Sequence, residues 1–79
     1  MVRNTNNCLD LIKILADNVR SYRFQRNLSQ EELADKCGLH RTYIGSVERG
    51  ERNVTLRTLS ILADALNIQV TDLLIKKDM

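Results

Sequence analysis

Side chains that can recognise a partner by hydrogen bonding are concentrated in the middle of this 79-residue chain. Ile44 and Val47 lie three positions apart, a spacing that puts both on the buried face of one helix. The residues left facing outward are His40, Arg41, Thr42, Gly45, Ser46 and Arg49. A helix with a short polar and basic outer face can enter the major groove of DNA, where side-chain donors meet base edges. This pattern therefore predicts hydrogen bonding to double-stranded DNA.

The distribution of charge supports nucleic-acid binding better than the total charge does. Lys and Arg number 12 and Asp and Glu number 10, which gives a net charge of +2, too small to indicate a nucleic-acid partner by itself. Seven of the eight arginines fall into two groups, one near the end of the first helical segment and one in the centre: Arg20, Arg23, Arg26, Arg41, Arg49, Arg52 and Arg57. A solvated basic face is the alternative explanation.

Enzymatic and metal chemistry have little support in the residue types. His40 is the single histidine, Cys8 and Cys37 are far apart, and no glycine-rich phosphate loop is present. We therefore expect no catalytic residue, no metal site and no cofactor, and we expect Cys37 to be a half-buried hydrophobic residue. The apolar runs are too short to span a membrane and no secretory leader is recognisable, so we expect a cytoplasmic protein that binds no membrane. We also expect no small-molecule ligand, since no segment is left over to form a pocket for one.

Two helices are predicted in the first half of the chain. The first begins at Cys8 and ends at Arg26-Asn27, because Asn tolerates the left-handed conformation common just past a helix end. Its apolar residues recur at spacings of three and four: Cys8, Leu11, Ile12, Leu15, Val19 and Tyr22. The run Ser29-Gln30-Glu31-Glu32 is a capping box, so the second helix begins at Gln30. Gly38 ends that helix, since Gly is the residue best able to adopt a positive φ.

Three more helices are predicted in the second half, which makes the fold all-α with five helices. Their starting residues are His40 or Arg41, Thr55 as an N-cap, and Val70 or Thr71. The third helix ends before Gly50 and the fourth at about Leu66. We expect a flexible N-terminus at residues 1–8, one domain over residues 9–76 and a tail at residues 77–79.

The run SQEELADKCGLHRTYIGSVERG resembles the Cro/C1-type (XRE) family of helix-turn-helix proteins. In that unit a short turn containing Gly joins two helices, and here Ala34 is small where the helices cross while Gly38 lies in the turn. The resemblance continues through NVTLRTLSILADALNI and covers about residues 9–75. It implies a compact five-helix DNA-binding domain of the lambda-repressor type.

Within that family, the run RTYIGSVERGERN resembles the small controller proteins of restriction-modification systems. The resemblance implies a prokaryotic homodimer that binds a palindromic operator and regulates transcription of its own gene and of the endonuclease gene. Phage-type repressors and antitoxins share much of the motif and remain alternative interpretations. An antitoxin often binds its toxin through a segment outside the DNA-binding domain, and only residues 1–8 and 76–79 lie outside it here.

The resemblance also implies roles for individual residues. It assigns base readout to His40, Arg41, Thr42, Tyr43 and Ser46, and contacts with the DNA backbone to Gln30, Arg49, Arg52 and Asn53. Arg41 is the foremost of these, since its guanidinium can donate to guanine O6 and N7 together. His40 stands where serine or aspartate is common in the family. Arg23 and Glu48 match positions that form a half-buried ion pair in phage repressors, and a phosphate contact by Arg23 is the alternative.

The fourth predicted helix has more apolar residues than one of its faces can direct to a single core, and further apolar residues follow it. We expect the excess to form a two-fold homodimer interface that includes Leu62, Leu66, Ile68, Val70 and Leu74. The alternative is that the fifth helix folds back and buries most of them within the chain. A dimer would place two recognition helices on half-sites one helical turn apart, roughly 10–10.5 bp.

Acidic residues on the second helix have two explanations. The capping box engages Glu32, whereas Glu31 and Asp35 form either a solvated face or, as in activating members of the family, a contact for RNA polymerase. RNA polymerase is therefore a further candidate partner beside double-stranded DNA and a second copy of the chain.

Overall fold

Five helices make up the fold in a computed structural model that describes residues 7–77. They are α1 (Cys8–Gln25), α2 (Gln30–Cys37), α3 (Arg41–Glu48), α4 (Leu56–Leu66) and α5 (Val70–Leu74). No strand occurs within this range, and the predicted all-α fold with five helices is confirmed. Among these helices, none has both the length and the apolar character needed to cross a membrane.

Capping residues begin and end the helices where the sequence predicts them. Ser29 Oγ accepts from the Glu32 backbone N–H at 2.9 Å, and Glu32 Oε1 accepts from the Ser29 N–H at 2.8 Å, which completes the capping box of α2. Gly38 ends α2 with a φ of 68°. Thr55 accepts from a backbone N–H of α4, and Asn27 adopts a φ of 56° just past α1. Local side-chain chemistry therefore determines these four helix ends.

The first helix begins at the last residue of the segment that we predicted to be flexible. The Asn7 side chain accepts from the backbone N–H groups of Leu9 and Asp10 at 2.8 and 3.4 Å, so Cys8 is already helical. The rest of that predicted segment, residues 1–6, lies outside the described residues, as do residues 78–79 of the predicted tail. Lys77 is described, and its Nζ lies 3.5 Å from the centroid of the Tyr22 ring.

One hydrophobic core is shared by all five helices. Its members are Leu15, Val19, Leu33, Ala34, Ile44, Val47, Leu59, Leu62, Ala63, Leu66 and Leu73. Burial of this apolar surface is the main favourable contribution to folding in a domain of this size. The core lies between α2 and α3 and the C-terminal helices α4 and α5, and it holds them in one body.

Two members of the predicted dimer interface belong to this core. Leu62 and Leu66 are both 0% exposed, so neither can contact a second copy of the chain. The prediction was wrong for these two residues because α1, α2 and α5 all pack against α4 and cover them. The remaining predicted members lie half-buried against the core or at its surface: Ile68, Val70 and Leu74.

A buried asparagine ties the C-terminal helix to α1. Asn18 is 3% exposed, and its Nδ2 donates to the carbonyl oxygens of Leu73 and Ile75, each at 2.9 Å. Arg26 makes a similar bond, donating from Nε to the Leu66 carbonyl at the end of α4 at 2.9 Å. Because a helix as short as α5 is not stable alone, the hydrogen bonds from Asn18 of α1 help to fix its position.

Candidate nucleic-acid interface

The helices α2 and α3 form a helix-turn-helix unit with a three-residue connection. Ala34 of α2 is 2% exposed and lies in the same core as Ile44 and Val47 of α3, so its small side chain allows the two helices to approach closely. The Leu39 N–H donates to the Ala34 carbonyl at 3.0 Å around the left-handed Gly38. These contacts fix the angle at which α3 leaves the body of the protein.

The exposed face of α3 is concentrated at its N-terminal end. His40, Arg41 and Thr42 are exposed, and Tyr43 is half-buried. Arg41 forms no ion pair with any residue that the structure describes. Its guanidinium can therefore donate to two acceptors at once, such as the N7 and O6 atoms that a guanine base exposes in the major groove.

The middle of the predicted outer face is buried instead. Ser46 is 6% exposed, and its hydroxyl donates to the Tyr43 carbonyl at 2.7 Å and accepts from Arg52 Nε at 3.0 Å. Gly45 is also buried. Contrary to our prediction, Ser46 is not free to read a base, because the loop after α3 brings Arg52 back over this part of the helix.

Two residues of α3 hold Arg52 in place. Besides its bond to Ser46, the Arg52 guanidinium lies 5.3 Å from the centroid of the Tyr43 ring, within the range of a cation–π contact. Ser46 is the single described residue that accepts a hydrogen bond from Arg52. The terminal nitrogens of Arg52 are therefore available to a phosphate, and Asn53 lies exposed beside it in the same loop.

A buried ion pair joins α1 to α3. Arg23 Nε and Nη2 donate to the two carboxylate oxygens of Glu48 at 2.7 and 2.9 Å, and the side chains are only 9% and 3% exposed. Arg23 Nη1 also donates to the Leu28 carbonyl at 2.9 Å. The hydrogen bonds with Glu48 raise the pKa of Arg23 and outweigh the opposing effect of burial. The ion pair that we predicted is present, and its geometry favours a structural role for Arg23 over a phosphate contact.

Gln30 is anchored to the same ion pair. It is the first residue of α2, it is exposed, and its Nε2 donates to Glu48 Oε1 at 3.1 Å. One N–H of the amide is used in this bond, so the second is available to a phosphate oxygen. The sequence predicts Gln30 at the DNA backbone but does not predict this anchor, because residues 18 positions apart meet only through packing.

Arg49 lies just after α3 and pairs with Glu51. Its Nε and Nη2 donate to the Glu51 carboxylate at 3.1 and 3.2 Å, with side chains that are 61% and 55% exposed. The hydrogen bond from Arg49 lowers the pKa of Glu51, and the same bond raises the pKa of Arg49. Exposed ion pairs are weak and open easily, so Arg49 can exchange this carboxylate for a phosphate.

His40 caps the recognition helix with its ring. Its Nδ1 lies 3.2 Å from the Thr42 backbone nitrogen and 2.7 Å from Thr42 Oγ1. The imidazole thus performs the capping role that serine or aspartate commonly performs at this position. This explains how α3 can begin after a histidine N-cap.

Other chemistry has little basis in the described part of the chain. Residues 7–77 contain no group of three or more His, Cys, Asp or Glu side chains that could hold a metal ion. Cys37 is half-buried, as predicted, and burial raises the pKa of its thiol, which makes it less reactive. The exposed side chains of α2, α3 and the adjoining loops include donors suited to nucleic acid: Gln30, His40, Arg41, Arg49, Arg52 and Asn53.

A fold of this kind, with an exposed donor-bearing helix after a glycine turn, defines a helix-turn-helix protein. The helix-turn-helix family matches residues 19–73, from the second half of α1 into α5, and the chain belongs to this family, which is of the predicted Cro/C1 (XRE) type.

Comparison with known proteins also agrees with the predicted resemblance to controller proteins. The chain is 65% identical over 71 residues to the control protein C.SmaI of Serratia marcescens, covering 90% of this chain and 84% of that protein. It is similar to the crystal structure of the restriction-modification controller protein C.AhdI from Aeromonas hydrophila, with a TM-score of 0.76 and 44% identity over 78% of this chain and 94% of that one. It also resembles SinR, a regulator of biofilm formation solved in complex with DNA, with a TM-score of 0.74 and 29% identity over 77% of this chain and 98% of that one.

Proposed function

We propose that this protein is a non-enzymatic transcription regulator of the prokaryotic cytoplasm that controls a restriction-modification system. It binds double-stranded DNA as a homodimer at a palindromic operator and regulates its own gene and the endonuclease gene. The observation that carries the proposal is the exposed N-terminal end of α3, where Arg41 is the first helical residue. The buried Arg23–Glu48 pair fixes this helix to the body of the protein. The 65% identity with C.SmaI supports the controller role.

The homodimer part of the proposal rests on the C-terminal surface. Leu74 and Ile75 are 36% and 58% exposed, and Ile68 and Val70 lie half-buried beside the core. A two-fold contact would bury this apolar surface on both copies. It would also double the number of base pairs that are read. One recognition helix reads only a few base pairs, which is rarely enough to distinguish an operator from the competing sites of a genome.

Selection from a pool of random DNA duplexes by the purified protein, near physiological salt, tests the proposal. We expect recovery of two inverted half-sites about one helical turn, roughly 10–10.5 bp, apart. Arg41→Ala should lose the preference for one base in each half-site, at about 1–3 kcal/mol, because it removes the bidentate donor. Lys13→Ala is the charge-matched control, since Lys13 lies exposed on α1 outside the helix-turn-helix unit, and it should leave the selected sequence unchanged.

Failure of that selection has a definite meaning. If the folded, dimeric protein enriches no sequence, sequence-specific regulation is contradicted, and an interaction with another protein, as in an antitoxin, becomes the better explanation. Enrichment of a single half-site by a protein that stays monomeric on DNA would contradict the homodimer.

RNA polymerase is a further candidate partner for the outer face of α2. Glu31 and Asp35 are exposed and make no ion pair with a described residue, whereas Glu32 is engaged in the capping box. Transcription from the cognate promoter should fall when Glu31→Ala and Asp35→Ala are combined, while binding to the operator stays unchanged. Undiminished transcription by the double variant would make these residues a solvated face.

A further inference from the structure

The hydrogen bond that caps α3 determines which ring nitrogen of His40 carries the proton. The Thr42 backbone N–H points to His40 Nδ1 with a nitrogen-to-nitrogen distance of 3.2 Å. A backbone N–H can only donate, so Nδ1 must accept. In the neutral imidazole the single proton then resides on Nε2, because one ring nitrogen is the acceptor and the other the donor.

The hydroxyl of Thr42 reinforces this arrangement. Its Oγ1 lies 2.7 Å from the same Nδ1, a distance typical of a short hydrogen bond. Since Nδ1 is unprotonated, the hydroxyl must be the donor. Thr42 therefore has its proton committed to His40 and retains its oxygen lone pairs and its methyl group for a partner.

The Nε2–H of His40 has no acceptor among the described residues, where the hydrogen bonds of the ring are confined to Nδ1. His40 is exposed and immediately precedes Arg41, the first residue of the recognition helix. N-terminal residues of a recognition helix are the ones that contact base edges in the major groove. The ring thus presents one fixed donor at the exposed N-terminal end of α3.

We propose that His40 is a specificity-determining residue that caps α3 through Nδ1 and, as a consequence, presents Nε2–H to an acceptor on a base edge. The inference rests on the proposed function only in taking DNA as the ligand. The acceptors in the major groove are purine N7, guanine O6 and thymine O4, whereas cytosine presents a donor there. His40 should therefore disfavour cytosine at the base that it contacts.

Two amide substitutions separate the two functions of the ring. In His40→Asn the side-chain oxygen takes the place of Nδ1, and Asn is among the best N-cap residues, but no N–H reaches the position of Nε2. In His40→Gln the longer amide can place an N–H near the position of Nε2, but Gln is a poor N-cap. We expect His40→Asn to keep the melting temperature and to lose about fivefold in preference at one base position, the equivalent of one neutral hydrogen bond. His40→Gln should show the reverse pattern.

The test combines two measurements. Nitrogen-15 chemical shifts of the imidazole in the free protein, at a pH where the ring is neutral, report the tautomer without DNA, and a proton on Nδ1 would overturn the inference. Sequencing of duplexes selected by each variant reports the base preference. A uniform loss of affinity across all sequences in His40→Asn would indicate a phosphate contact and overturn the base assignment, as would an unchanged preference. If the wild-type chain selects no sequence although the predicted tautomer is present, the proposed function fails and the reading role fails with it.

Discussion

The DNA-facing unit, which comprises α2, α3 and the loop through Asn53, shares one hydrophobic core with the C-terminal helices α4 and α5, but the two regions differ in the polar contacts added to that core. A polar network supplements the core in the DNA-facing unit: the Arg23–Glu48 pair anchors α3 to α1, Gln30 bonds to the same carboxylate, and Ser46 holds Arg52. Apolar packing predominates in the second, where α4 contributes four of the buried core residues: Leu59, Leu62, Ala63 and Leu66.

This difference has a functional consequence. Hydrogen bonds and ion pairs are directional, so they can aim a small set of donors at the positions of base and phosphate acceptors. Hydrophobic contacts are less directional and suit a surface that has to bury area against a second copy. Asn18 and Arg26 are the exceptions on the C-terminal side, because their polar side chains bond to carbonyl groups at the ends of α5 and α4.

The largest expected effect comes from breaking the polar network of the DNA-facing unit. Glu48→Ala leaves the buried guanidinium of Arg23 without its carboxylate and also removes the anchor of Gln30. Loss of one partner of a buried pair costs about 3–5 kcal/mol, so the free energy of unfolding should fall by that amount. Glu51→Ala removes an exposed carboxylate from Arg49 and is the matched control, for which thermal denaturation should show an unchanged melting temperature. Equal melting temperatures for the two variants would contradict the structural role of the pair.

The next effect tests whether one polar contact fixes the C-terminal helix. Asn18→Ala removes the donor to the Leu73 and Ile75 carbonyls. Leaving buried acceptors unpaired costs about 1–3 kcal/mol, so urea denaturation should show a loss of that size. Gln25→Ala, an exposed change on the same helix, is the control and should have little effect. A loss for Asn18→Ala no larger than for this control would mean that apolar packing alone holds α5.

The contrast between the two regions also explains which features were predictable from the sequence. Helix ends were predictable at Ser29, Gly38 and Thr55, because capping depends on residues within three or four positions of each other. The burial of Ile44 and Val47 followed from their spacing of three positions, and Arg41 was predicted among the residues left outside that buried face.

Features that depend on distant parts of the chain were not predictable in this way. Ser46 fits an outward position by helical spacing, but Arg52 folds back onto it from the following loop. Leu62 and Leu66 are apolar on a helix with excess apolar residues, and the sequence does not say which of them the packing of α1, α2 and α5 will cover. Asn18 gave no signal because its partners lie 54 to 57 positions away.

A smaller effect is expected from changing the proposed dimer surface. Ile75→Asp places a charge in the exposed apolar surface just after α5, and desolvation of that charge in a two-fold contact should raise the dimer dissociation constant at least about tenfold. Sedimentation velocity over a range of micromolar concentrations measures this change. Leu56→Asp is the control, since Leu56 is 83% exposed at the start of α4 and lies outside the proposed surface. Dissociation caused by the Leu56 variant and not by the Ile75 variant would move the interface to the other end of α4.

The smallest effect distinguishes two functions of Tyr43 within the DNA-facing unit. If the ring mainly supports Arg52, Tyr43→Ala should weaken operator binding by about 0.5–1 kcal/mol, the strength of an exposed cation–π contact, and Tyr43→Phe should bind as the wild type does. Both variants lack the phenolic hydroxyl, so both should lose affinity if that hydroxyl makes the base contact predicted from the sequence. Titration of a fluorescent operator duplex at two salt concentrations measures the difference. A loss shared by Tyr43→Phe, and confined to one base position, would assign Tyr43 to base readout and leave Ser46 as the main support of Arg52.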